Sequence, residues 1–209
     1  MQMRLMRGFL IFLYILLPNI GNAAVMDISE DDFCLGSKDA KVVIIEYFSL
    51  TCPHCAEIHS GQDSIFERIK ERYIDKGTVL YVSRQFPTNL PSLKAAMLTY
   101  CRRDKYFDFV KALLTSQSIW AFFSDYEKRI LNIAKLSGIN EDDLLNCMKN
   151  EEVERNIIDE MYKTSNELKI DRTPVMFING LEVSNIFDFK EIELKIKQSI
   201  MDLKLEDGK

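Results

Sequence analysis

At 209 residues the chain suits one domain, or one domain carrying an insertion, and its 47% hydrophobic and 28% charged residues can fill a sizeable core. A net charge of −5 and a pI near 5.2 argue against a nucleic-acid binder, which needs a basic face.

The N-terminus has a composition of its own. Arg4 and Arg7 precede an apolar run from Phe9 to Leu17, Pro18 breaks that run, and Gly21-Asn22-Ala23 offers small residues for a cut after Ala23. Positive start, short apolar stretch and small-residue exit are the layout of a cleaved secretory signal peptide over residues 1–23. A membrane anchor is the other reading, but so short a run falls well below the roughly 30 Å of hydrocarbon it would have to cross. Cleavage would leave 25 basic against 32 acidic residues, a mature charge of −7. Cys34 sits among Asp31, Asp32 and Phe33 instead of small residues, which excludes lipidation there.

Residues 41–48 are β-branched and aromatic on both faces, the pattern of a strand covered on two sides. From Pro53 the spacing turns helical through Ile58, Ile65, Phe66, Ile69 and Tyr73; Gly77 ends that region and 78–83 predicts a second strand. Together these make a βαβ unit with a parallel pair. Between about 90 and 168 no strand is predicted, and helices are expected near 92–103, 105–115, 125–137, 141–150 and 151–168. Gly138 reads as the C′ residue of the third and Asn140 as the N-cap of the fourth. A short buried strand follows over 174–179, Asn179-Gly180 is a hairpin signal, 181–183 pairs back, and 188–203 is an amphipathic helix. The order is βαβ, helical insert, ββα: an α/β mixed sheet built from the two ends, with 24–89 and 169–209 forming one unit and 90–168 a lid over it.

The five cysteines are Cys34, Cys52, Cys55, Cys101 and Cys147. Exported chains meet an oxidising compartment, so pairing is the first expectation. Cys52 and Cys55 can close a small ring, Cys101 and Cys147 form the natural second pair, and Cys34 is left odd. A Cys101–Cys147 bond would contribute on the order of 4 kcal/mol in the chain-entropy model; the alternative is two small buried hydrophobes.

The chemistry concentrates in Cys52-Pro53-His54-Cys55, where the first strand gives way to a helix. Free N–H groups at a helix start favour thiolate over thiol at Cys52. Pro53 is tolerated in the first turn, and His54 can add positive character beside the sulfur. Cysteines so placed titrate at roughly 3.5–7.5. A stabilised thiolate leaves readily, so the disulfide form becomes an oxidant, and Cys55, one turn on, is suited to resolve a mixed disulfide. Structural zinc is the competing reading, with His54 or His59 as further ligands. It normally needs four closed ligands from two separated pairs, and this chain has one such pair. An inert structural disulfide is a third possibility.

The segment from Glu46 to Cys55, Glu-Tyr-Phe-Ser-Leu-Thr-Cys-Pro-His-Cys, resembles the active-site segment of DsbA-like proteins of the thioredoxin superfamily. Thr173-Pro174 before a short strand resembles that family's cis-proline loop, and the helical insert is a family feature; the similarity covers about 30–203. The resemblance implies a thioredoxin fold with an all-helical insertion domain. It implies Cys52 as exposed nucleophile, Cys55 as buried resolving thiol, and a cis Pro174 that sets the Thr173 backbone against the disulfide. Glu46 matches a buried acid that moves protons to and from Cys55, although a strand-end residue reaching solvent is the alternative. Cys101 and Cys147 resemble a second pair found in a subset of the family, while Cys34 matches no motif. Implied partners are reduced or unfolded exported proteins and a DsbB-like membrane reoxidant, with a monomeric, periplasmic enzyme that needs no cofactor or metal. Rivals are an isomerase or reductase on the same fold and a metal-handling, non-catalytic protein. Isomerases of the DsbC type carry an N-terminal dimerisation region, for which 24–40 leaves no room.

Overall fold

The computed structural model describes residues 27–136 and 140–207. The expected signal peptide over 1–23, its cut after Ala23, and the expected cap at Gly138 lie outside the described residues. Among those described, no helix is long and apolar enough to cross a membrane.

A five-stranded mixed sheet forms the centre, ordered β1-β3-β2-β4-β5. Strand β2, Val42–Phe48, pairs in parallel with β3, Val79–Gln85, and antiparallel with β4, Val175–Ile178. Strand β5, Leu181–Glu182, turns back on β4 and is exposed and shorter than expected. Strand β1, Phe33–Leu35, pairs antiparallel with β3 and was not predicted. Three residues are too few to show alternation, and β1 is held mostly from outside: Phe33 stacks on Tyr106, and Asp32 takes the Arg84 guanidinium through two 2.8 Å bonds. Gly36 ends β1 at φ 111°, and a Cβ there would come within 2.5 Å of the Val79 carbonyl oxygen.

Helix α1, Pro53–His59, follows β2; α2, Ile65–Ile69, runs into a π-helical turn over Lys70–Ile74 before β3. Among the described residues five α-helices then separate β3 from β4: α3 Leu90–Cys101, α4 Tyr106–Thr115, α5 Tyr126–Leu136, α6 Glu141–Met148 and α7 Glu151–Leu168. Asn89 and Ser92 form a reciprocal capping box on α3, and Asn140 caps α6 as expected. Helix α8, Phe189–Asp207, closes the described chain and extends past the predicted end at 203.

Side chains alternate across β2. Ile44 joins a core with Ile58, Phe66 and Ile69 of α1 and α2 and with Ile192 and Ile196 of α8. Ile45 and Tyr47 pack on the opposite face with Val82, Phe177 and the α7 residues Met161 and Leu168. A third cluster joins Phe48, Leu50 and Cys55 to Leu98, Phe109, Leu113 and Trp120, so the end of β2 that carries the cysteines shares its core with the intervening helices. Each fully buried branched or aromatic side chain here contributes roughly 1.5–3 kcal/mol of transfer free energy. The loop that carries the site thus springs from a packed strand end.

Candidate active site

Cys52 occupies the N-cap of α1 in extended conformation (φ −80°, ψ 119°), with Pro53 in the first turn. Its sulfur lies 3.3 Å from the Thr173 carbonyl oxygen, and the Thr173–Pro174 bond is cis. The loop is tied down from three directions. Ser49 Oγ contacts Thr51 Oγ1 and Thr88 Oγ1 at 3.3 and 3.1 Å, and the Thr51 hydroxyl donates to Asn89 at 3.2 Å. Gln117, buried in the turn after α4, donates from its amide to the carbonyls of Leu50 (2.9 Å) and Cys52 (3.0 Å). No motif marks Gln117, and it stands 65 residues beyond Cys52, so nothing in the sequence pointed to it.

Both Cys52 and Cys55 are free thiols. The expected Cys52–Cys55 disulfide is therefore not formed in this structure, which shows the dithiol. The two sulfurs are strongly unequal. A hydrogen bond from the Cys55 thiol holds Cys52 down at about 5; burial opposes this, and Thr173 and the amides of Cys55 and His54 add to it. Burial pushes the Cys55 thiol well above 9, and the hydrogen bond to Cys52, the Cys52 charge and Glu46 push it the same way; the Ser49 amide, 3.5 Å from its sulfur, acts in opposition. The helix start and the His54 imidazole were expected to acidify Cys52. The helix-start amides of His54 and Cys55 act as expected, whereas the imidazole lies outward, 3.7 Å from Glu57 and edge-on to Phe187. What residue 54 lends the sulfur is its backbone N–H.

Beneath Cys55, Glu46 is fully buried, which removes the strand-end alternative. Nor is its carboxylate unpaired. His59 Nε2 lies 3.1 and 3.2 Å from its two oxygens, and the Tyr81 hydroxyl donates to it at 2.5 Å. Burial first and Glu46 second hold Tyr81 well above 10, so it remains a donor. Neither His59 nor Tyr81 was singled out for this role. His59 follows Cys55 by four residues and so shares its buried helix face, a spacing legible in the sequence, where it fits a zinc ligand as well as a partner for Glu46. Among the described residues no group of three or more His, Cys, Asp or Glu side chains converges to hold a metal ion.

Beside Cys52 an open groove of about 200 Å³ is lined by His54, Thr173, Pro174, Glu182, Asn185 and Phe187. Cys147 is disulfide-bonded, while the side chain of its expected partner Cys101 lies outside the described residues. Cys34 is free and half-buried on β1, and burial, then Asp32, raises its thiol above 9.

A vicinal dithiol at a strand–helix junction, faced by a cis-proline loop on this sheet, defines a thioredoxin-fold thiol–disulfide oxidoreductase. A family model described as Thioredoxin matches residues 29–198, and the chain belongs to that family. A Rickettsia bellii protein, provisionally named a protein-disulfide oxidoreductase, is 32% identical over 179 residues, covering 85% of this chain and 68% of its own length. A counterpart with the same name from Rickettsia felis is 32% identical, and the chain spans 56% of its length. Among solved structures, alpha-DsbA1 of Wolbachia pipientis superposes with a TM-score of 0.79 at 30% identity, covering 88% of this chain and 99% of that one.

Proposed function

We propose that the protein is exported and donates a Cys52–Cys55 disulfide to reduced, folding proteins in the periplasm. The observation that carries this reading is the inequality of the two sulfurs, about 5 for Cys52 against well above 9 for Cys55. A stabilised Cys52 thiolate lowers the free energy of the dithiol form alone, which makes the disulfide form the stronger oxidant.

A substrate thiolate attacks Cys52 Sγ in the disulfide, and Cys55 leaves and takes up a proton. The second substrate thiolate then attacks the substrate sulfur of the mixed disulfide and displaces Cys52. The substrate dithiol loses two electrons and two protons; one proton ends on Cys55, and the other goes to solvent because Cys52 departs as thiolate. Thr173 and Pro174 present backbone to an extended substrate segment lying in the groove, and Glu46 exchanges the proton of Cys55. Residues 24–89 and 169–209 act as the redox unit, with 90–168 as a helical lid. The working form is a monomer reoxidised by a DsbB-like membrane partner, without cofactor or metal.

The reduction potential of the Cys52–Cys55 couple in glutathione buffers is the test. A value above about −180 mV is expected for a donor, and one near or below about −270 mV would identify a reductase instead.

A further inference from the structure

Resolving a buried thiol poses a proton problem that the dithiol geometry alone leaves open. Cys55 is fully buried, and Glu46, which feels its charge, is fully buried too. A proton exchanged between them still needs a way out to water. Two features supply one. His59 engages both Glu46 oxygens through Nε2, and its Nδ1 has no hydrogen-bond partner among the described residues. The same ring lines a cavity of about 340 Å³ whose walls include Leu35, Phe66, Tyr81, Phe107 and Val110. This cavity lies between α2 and α4, away from the Cys52 groove, and the charged groups around it are Glu67, Lys70, Asp108 and Lys111. Lys111, which is exposed, pairs with Glu67 at 2.6 Å and Lys70 with Asp75 at 2.8 Å, so the lining combines solvent-reaching charged groups with buried aromatic ones.

We propose that His59, acting through Glu46, relays the proton of Cys55, and that the cavity between α2 and α4 is the route by which this proton is exchanged with solvent. An imidazole suits the task because one ring nitrogen can accept a proton while the other releases one. On substrate oxidation, Cys55 departs as thiolate and is protonated through the Glu46 carboxylate, which takes the His59 Nε2–H proton as it delivers one to the sulfur. Nδ1 then takes up from cavity water one of the two protons the substrate released, so the ring ends with the same charge and no electrons pass through it. Tyr81, donating to the same carboxylate, orients Glu46 rather than carrying the proton. Substrate binds on one side of α1 and the proton enters on another, so a bound substrate does not block protonation. In these terms His59 is a positioning residue: it touches neither substrate nor sulfur.

The inference rests on the oxidase reading, and single-turnover oxidation of a short dithiol peptide by the pre-oxidised protein separates the two. Wild-type protein that leaves the peptide reduced would refute the oxidase reading and this inference with it. If wild type is active, His59→Gln and His59→Ala are expected to slow the reaction about a hundredfold, the lower range for a lost acid–base group. The Cys52 thiolate titration should stay near 5 in both. Imidazole added to His59→Ala should restore the rate in proportion to its concentration, because the cavity has room for it. Wild-type rates in His59→Gln, or a slow His59→Ala that imidazole does not accelerate, would overturn the relay. Should the variants fail to fold, the ring nitrogen spectrum of wild-type His59 decides, with the other histidine, His54, assigned by His54→Gln. A protonation or tautomer change between disulfide and dithiol forms supports the relay, and identical spectra refute it.

Discussion

Cys52 and Cys55 show how burial separates two chemically identical groups a turn apart. The depressed Cys52 favours the folded dithiol above its folded pKa: that preference grows as pH rises from about 5 toward the ordinary thiol value near 9, and it is lost as pH falls through 5. The raised Cys55 favours the fold below about 9 and loses that preference as pH climbs beyond it. Thiolate absorbance of the reduced protein should therefore rise with a midpoint near 5, and Cys52→Ser should flatten the gain in stability between pH 5 and 9. An absorbance midpoint near 9 would contradict the site as described. Cys55→Ser is expected to accumulate a mixed disulfide with substrate, visible on non-reducing gels, and Cys52→Ser to leave none. At this scale the sequence told where sulfur chemistry lies but not which neighbour matters. His54 stands beside Cys52 in the chain and faces outward, whereas His59 is farther along and folds under it onto Glu46. Adjacency is written in sequence order; convergence of β2, β3 and α1 on one carboxylate is not.

Elements were legible where their period is long. The two β-rich ends, the intervening helices and the Asn140 cap follow from side-chain spacing, because burial on one face leaves a repeating mark. Short or externally held pieces leave none. Strand β1 exists through Phe33 stacking and through Asp32 holding Arg84, and the π-helical turn at Lys70–Ile74 has the same side chains as an ordinary helix end. Asp32→Asn removes the charge facing a guanidinium that is nearly buried, yet Arg84 keeps its bonds to Tyr47 and to the Asp27 carbonyl. The loss is expected to be about 3 kcal/mol, the low end for breaking a buried pair, read from urea unfolding. Gln117→Leu leaves the Leu50 and Cys52 carbonyls without their donor and should cost about 1–3 kcal/mol. Faster alkylation of Cys52 would accompany it, because the loop it clamps would be freer; an unchanged melting temperature would show that water replaces the amide.

The molecule as a whole is one interrupted sheet. Its central pairing joins residues far apart in the chain: the Val43 amide donates to the Asn179 side chain at 2.8 Å, and the Asn179 amide returns a bond to the Val43 carbonyl at 2.9 Å, across 136 positions. Cys147, on α6, carries a disulfide. Replacing both Cys101 and Cys147 by alanine should lower stability by about 2–4 kcal/mol in thermal or denaturant unfolding. A shift in the Cys52–Cys55 potential in the same variant would show that the insert reports to the site through the shared core around Phe109 and Trp120.

The return of β4 beside β2 also sets a clock. Chains leave the ribosome from the N-terminus, so the dithiol emerges long before Thr173, and Glu46 stays uncovered on that side until Met176 arrives opposite it. A half-finished copy lacks both contacts and carries a duller sulfur than the complete one. The share of Cys52 acidity that Thr173 supplies thus waits on a residue made 121 positions later, while the larger share from Cys55 is written three residues away.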